Sequence, residues 1–127
     1  MPSHEVFPRV QGLKEFCNAR KNFNVPVWGA RYFGGRPNLN PPSWLHAYNS
    51  SDIPMAFGTA DLLGSNTPAE AEMSRYMQSA WTAFANDPEH GLGWLTYNPP
   101  ANTLVKLGFG KNTQALLGLG NEFDGLC

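Results

Sequence analysis

The chain has 127 residues, enough for one domain that buries about two thirds of its unfolded surface. Charged residues make up 15% of it, well below the roughly one quarter of an average soluble domain, and 13 glycines with 11 prolines indicate many loops. Nine Lys and Arg against ten Asp and Glu give a formal charge of −1, which excludes the basic surface that nucleic-acid binding needs.

The apolar pattern also excludes a membrane-spanning helix, since no window approaches about 18 consecutive apolar residues. The first residues, MPSHEVFPRV, lack the basic and apolar regions of a secretory signal peptide. From the chain as written we therefore expect a cytoplasmic protein with no nucleic-acid or membrane partner.

The two cysteines, Cys17 and Cys127, lie almost at opposite ends of the chain, at a spacing that fits neither a metal clip nor a redox pair. In a reducing compartment we expect two free thiols, with a disulfide between them as the alternative. The histidines have no spacing suited to zinc, so the sequence predicts no metal and no cofactor.

In chain order, the first half predicts a helix, a strand and a loop. Residues 10–24 have the apolar spacing of a short helix, with cations near its end. Residues 25–33, VPVWGARYF, predict a strand, and their unbroken apolar pattern is typical of one buried on both faces. Residues 34–44 hold three prolines and two glycines and predict a loop, and the polar run 46–54 continues it with turns.

The second half predicts a long amphipathic helix. Thr67 as N-cap, Pro68 at the first position and Glu70 at the third form a capping box, and Asn86-Asp87-Pro88 ends the helix. An apolar stripe along it predicts core packing and comprises Met73, Tyr76, Met77, Ala80, Trp81 and Phe84. A short strand is predicted within 102–110, and the Gly-rich tail 116–127 has no clear period.

This order of elements, with these residues, resembles the C-terminal region of the type B carboxylesterases, the family of the cholinesterases and fungal esterases, and is most like the fungal esterases. The resemblance runs from about Phe16 to Phe109. It is carried by FC at 16–17, VPVWGARYFG at 25–34, PNL at 37–39, SDIPMAFGT at 51–59, the helix at 67–88, GLGWLTYNP at 91–99 and NTLVKLG at 102–108.

The resemblance implies an α/β fold, namely the C-terminal part of an α/β-hydrolase with an incomplete sheet. Residues 1–127 would then form one truncated carboxylesterase-like domain. The chemistry implied is ester hydrolysis by a Ser, a His and an acidic residue. None of the seven serines in the chain stands in a G-x-S-x-G context, the strand-to-helix elbow that carries the nucleophile in this family. The glycine-rich oxyanion loop is absent too.

The family's catalytic histidine stands in a frame reading Ala-Tyr-His-Gly/Ser-Ser-Asp/Glu, and here the same frame runs from Ala47 to Asp52 with Asn49 at the histidine position. An amide cannot accept and release a proton near neutral pH as imidazole does. We therefore expect no ester hydrolysis from this chain alone. His46 is expected to be a solvent-facing loop residue and Asp52 a cap or turn acceptor.

Two other functions remain open. The chain could be a binding or assembly module, in which Trp44, Trp94 and Tyr97 hold a hydrophobic small molecule or a partner chain. Because the strand at 25–33 belongs by resemblance to a larger sheet, that partner could be a second copy or a chain carrying the missing strands. The chain could also be a repurposed enzyme that uses His46, Asp52 or Tyr48 for proton transfer.

Asn49-Ser50-Ser51 is the one N-glycosylation sequon of the chain. Without a secretion signal we expect it to remain unmodified, although full-length members of the family are often secreted.

Overall fold

The computed structural model describes residues 7–40 and 42–124, with side chains from residue 14 onward. Three strands form one sheet with β2 in the middle, so the described residues combine helices and a sheet, as predicted for the α/β class. The elements in chain order are α1 (Phe7–Asn22), β1 (Gly29–Tyr32), a 3-10 helix (Ser43–Leu45), α2 (Ile53–Phe57), a second 3-10 helix (Ala60–Leu63), α3 (Pro68–Asn86), β2 (Leu104–Leu107) and β3 (Leu116–Gly118).

The chain divides into two units. The first contains the described residues up to Gly29, then Trp94–Leu104 and the described residues from Leu117 onward. The second contains Ala30–Gly93 and Val105–Leu116. Each unit is described by itself.

Helix α3 confirms the predicted helix and its capping box. The Thr67 hydroxyl accepts the N–H of Glu70, and the Glu70 carboxylate accepts the N–H of Thr67, both at 3.2 Å. These two bonds satisfy donors that have no partner inside the helix. Pro68 occupies the first turn, where a missing N–H costs nothing.

The core of the second unit lies where α2 meets α3. Met55 of α2 and Met73 and Met77 of α3 are fully buried, and the Ser74 hydroxyl donates to the Met55 carbonyl oxygen at 2.7 Å. The hydroxyl therefore fixes α2 at the point where the methionines pack. Methionine suits this position because its flexible side chain fills irregular space.

The predicted burial of the whole α3 stripe is wrong at its C-terminal end. Trp81 and Phe84 are each 43% exposed. Helix α2 has only five residues against the 19 of α3, and at about 1.5 Å per residue it is too short to cover the full stripe.

The predicted strand at 25–33 is wrong in extent and in burial. Strand β1 covers only Gly29–Tyr32, and its two central residues are exposed. Pro26 has no N–H to give to a ladder, and the Val27 carbonyl oxygen accepts the N–H of Tyr97 at 2.7 Å. The first residues of this segment are therefore held by a loop contact and not by strand pairing.

The remaining elements differ from the predictions mainly at their ends. Helix α1 begins at Phe7 and ends at Asn22, two residues before the predicted end, and Asn24 follows with a left-handed φ of 55°. Strand β2 confirms the short strand predicted within 102–110, whereas β3 was not predicted. Among the described residues, no helix is both long and apolar enough to cross a bilayer.

Candidate functional site

The turn from Tyr48 to Ser51 holds Asn49 at an exposed position of the second unit. The Ser51 N–H donates to the Tyr48 carbonyl oxygen at 3.0 Å, and the Tyr48 N–H donates to the Ser51 hydroxyl oxygen at 3.2 Å. Ser50 takes a left-handed φ of 73° between them. The turn therefore buries Ser51, which is 2% exposed, while Asn49 and Ser50 face solvent.

The Pro-rich loop supports this turn. The Tyr48 hydroxyl donates to the Leu39 carbonyl oxygen at 2.8 Å, and the Asn40 amide donates to the His46 carbonyl oxygen. The loop is itself closed by the N–H groups of Leu39 and Asn40, which both donate to the Arg36 carbonyl oxygen. Because both segments are fixed by hydrogen bonds, the backbone at Asn49 has a defined position.

The three residues predicted as possible proton-transfer groups lie close to this turn in sequence, but each has a different environment. His46 is exposed, with a left-handed φ of 49°. The Tyr48 hydroxyl already donates a hydrogen bond to the Leu39 carbonyl oxygen. Asp52 is the N-cap residue of α2, but its side chain makes no capping hydrogen bond, and its expected role as a turn acceptor stays a prediction. No described contact joins these three side chains to one another.

The three aromatic residues predicted as a contact surface differ in exposure. Trp44, in the second unit, is 74% exposed. In the first unit, the Trp94 carbonyl oxygen accepts the indole N–H of Trp28 at 3.1 Å. Tyr97 is only 8% exposed and donates its hydroxyl to Asp124 at 3.2 Å. Tyr97 therefore packs inside the first unit and offers little surface to a ligand.

Cys17 is a half-buried free thiol in the first unit. Burial raises its pKa, the Asp124 carboxylate raises it further, and Arg20 opposes both. Since the thiolate is the reactive form, the raised pKa lowers the reactivity of this side chain near neutral pH. Cys127 lies outside the described residues, so the predicted pair of free thiols, and the alternative of a disulfide between them, both stay untested.

The second unit also contains a cluster of buried polar side chains that the sequence pattern did not predict. Arg36 is 8% exposed and Glu70 is fully buried. The Tyr32 hydroxyl, the Arg36 Nε and Nη2 atoms and the Glu70 Oε1 atom are all buried and make no hydrogen bond of good geometry, although the Arg36 guanidinium lies close enough to Tyr32 to interact with its hydroxyl. Each such atom loses its water without a replacement bond and so destabilises the fold. The one sequence feature that pointed to this cluster is Arg36 itself, an arginine between glycine and proline in the motif GGRPN.

The fold changes the pKa of the Tyr32 phenol. Burial raises its pKa from 10.0 to about 12, against the opposing effect of the nearby Arg36 charge. Between these pH values the unfolded chain loses a proton that the folded chain keeps. The unfolded state then binds fewer protons, so the free energy of unfolding falls as pH rises through this range.

The substitution Tyr32→Phe is expected to raise the free energy of unfolding at neutral pH by about 1 kcal/mol, because it removes a buried hydroxyl that makes no hydrogen bond of good geometry. It should also reduce the loss of stability between pH 10.0 and about 12. Urea unfolding followed by circular dichroism across pH measures both effects. A variant that is less stable than the parent at neutral pH would show that the hydroxyl has a partner after all.

An open depression of about 410 Å³ lies on the second unit, where α2 meets α3. Exposed apolar side chains contribute to it, notably Ile53, Phe57 and Trp81. Its lining comprises Asp52, Ile53, Ala56, Phe57, Gln78, Trp81 and Thr82. A surface of this kind can hold an apolar group. Asp52 is the only charged residue in its lining.

Comparison with known proteins finds similarity to two fungal esterases. Secreted lipase 5 of Gibberella zeae is 41% identical over an alignment of 100 residues that covers 75% of this chain and 18% of that protein. Chlorogenic acid esterase of Aspergillus niger is 36% identical over 92 residues, 71% of this chain and 18% of that protein. The chain thus spans about 18% of the length of these relatives. No family model and no solved structure matches it.

Proposed function

Because this chain belongs to the carboxylesterase family, we propose that it is a C-terminal α/β-hydrolase segment that carries the family's histidine turn but supplies no catalytic base. The observation behind the proposal is Asn49, which stands in the family's frame at the histidine position and is held exposed by the turn from Tyr48 to Ser51.

The chemistry of ester hydrolysis explains why the residue at this one position decides whether a catalytic base is present. A serine hydroxyl attacks an ester only when an imidazole takes its proton, and the same imidazole then protonates the leaving alcohol. The Asn49 amide can donate or accept a hydrogen bond but cannot carry that proton. These 127 residues, which hold no G-x-S-x-G, should therefore not hydrolyse carboxylic esters by themselves.

A p-nitrophenyl acetate assay on the purified chain tests the proposal. We expect no turnover above the buffer rate. Turnover that a serine-directed inhibitor abolishes, and that is lost on substitution of a residue of this chain, would overturn it. Separate substitution of His46, Asp52 and Tyr48 would then identify a substitute base.

We also propose that the chain enters the secretory pathway. Support comes from the relative named Secreted lipase 5, with which this chain shares 41% identity over 100 residues. The expected cytoplasmic location is the competing hypothesis.

A second candidate function is assembly with a partner that covers the depression between α2 and α3. Ile53 and Phe57 on α2 and Trp81 on α3 present apolar surface there, and burial of such surface drives association. The partner we favour is polypeptide that carries the upstream hydrolase strands, with a second copy or a hydrophobic small molecule as alternatives.

Light scattering over a concentration series, compared for the parent and Phe57→Ser, separates a second copy from the others. A parent chain that is monomeric and gains no thermal stability from apolar ligands would leave only the upstream polypeptide.

A further inference from the structure

We propose that Asn49 is the acceptor of an N-linked glycan when the chain passes through the secretory pathway. The sequon Asn49-Ser50-Ser51 meets the sequence requirement, and no other Asn-x-Ser/Thr occurs in the 127 residues. The proposal rests on the secretory route proposed above and is independent of whether the chain hydrolyses esters.

The described geometry is compatible with a bulky group on Asn49. The side chain is exposed, and within the described part of the chain its amide makes no hydrogen bond that a glycan would break. The residue belongs to neither a helix nor a strand. Asn49 lies before α2, which begins only at Ile53. A glycan there can extend into solvent without displacing any core side chain.

The same geometry limits when the transfer can occur. The sequon hydroxyl belongs to Ser51, which is 2% exposed and accepts the Tyr48 N–H in the folded turn. A transferase that must read both the amide of Asn49 and this hydroxyl cannot reach the latter once the turn has closed. The modification therefore has to take place on the nascent chain, before Tyr48 and Ser51 form their two hydrogen bonds.

The step itself is a group transfer from a polyprenyl-diphosphate-linked oligosaccharide. The Asn49 Nδ2 atom attacks the first sugar carbon, the bond from that carbon to the diphosphate oxygen breaks, and the diphosphate leaves with the bonding electron pair. The amide nitrogen gives up one proton to solvent. No oxidant or reductant is needed.

The consequence for the family site is physical obstruction. Where the resemblance puts a catalytic imidazole, this chain would carry a hydrated oligosaccharide on the exposed face of a hydrogen-bonded turn. Such a group would keep large ester substrates away from the turn, in addition to the missing proton-transfer group.

The test expresses the full chain in yeast behind a heterologous cleaved signal peptide, with signal-free cytosolic expression as the control. Intact mass is measured before and after peptide N-glycosidase treatment in ¹⁸O-labelled water. We expect a glycan mass on the secretory form that the enzyme removes, leaving Asn49 converted to labelled Asp. The signal-free form should carry neither the glycan nor the labelled Asp.

Two pairs of variants check the assignment. Asn49→Gln and Ser51→Ala both destroy the sequon and should lose the glycan completely. Ser50→Gly and Ser51→Thr both retain it, and glycine suits the left-handed φ at residue 50. Cell-associated and secreted fractions are both analysed, so poor secretion of a variant does not hide its mass. A translocated parent chain with unmodified Asn49 overturns the proposal, whatever the esterase assay gives.

Discussion

Ester hydrolysis by Secreted lipase 5 of Gibberella zeae is expected to fall by at least about 1,000-fold when its aligned segment is replaced by the matching segment of this chain. The exchange would put Asn49 where the resemblance places the general base. Loss of the group that moves the serine proton removes most of the rate enhancement, while substrate binding by the rest of the enzyme remains.

Substitution Asn49→His within the chimera should restore most of that activity, since the turn already fixes the backbone at this residue. Ser50→His is the matched control, because it adds the same imidazole one residue away and should restore nothing. Rates with p-nitrophenyl acetate and thermal unfolding of all three chimeras are compared. A parent chimera within tenfold of the intact enzyme would contradict the role assigned to Asn49.

A large loss of stability, about 3 kcal/mol, is expected from Gly120→Ala. A Cβ at this residue would lie 2.6 Å from the Asn98 carbonyl oxygen and 2.8 Å from the Thr103 hydroxyl oxygen. The Thr103 hydroxyl donates a hydrogen bond to that carbonyl oxygen at 3.0 Å. The same hydroxyl accepts the Asn98 N–H at 2.9 Å. The Gly120 N–H also donates to the Ala101 carbonyl oxygen at 2.8 Å. Because hydrogen bonds hold both segments, neither the backbone at Gly120 nor that at Asn98 can easily move to make room for a Cβ.

Gly29→Ala is the matched control in the same unit. Its new Cβ would lie 3.7 Å from Leu104 and 3.9 Å from Tyr97, which is ordinary contact, and alanine restricts the unfolded chain more than glycine does. We expect its free energy of unfolding in urea to stay within about 0.5 kcal/mol of the parent. Equal losses for the two variants would show that the close approach at Gly120 is not the cause.

The candidate site was largely readable from the sequence because its motif is contiguous. Asn49 and its neighbours are six consecutive residues, and the structure adds only which of them face solvent. The buried group of Tyr32, Arg36 and Glu70 could not be found in this way. Its members are up to 38 residues apart by their numbers, and their burial depends on packing that no local pattern records.

Local interactions explain what the sequence by itself determined: α3 with its capping box, the loops rich in proline, and the turn that holds Asn49. Each depends on residues within a few positions of one another, so the side-chain chemistry is decisive without the rest of the fold. Tertiary structure alone decided that β1 is short and exposed, that α2 covers only part of the α3 stripe, and that Tyr97 points into the first unit. Those outcomes depend on which distant segments compete for the same backbone groups and apolar surface, and a periodic pattern carries no information about that competition.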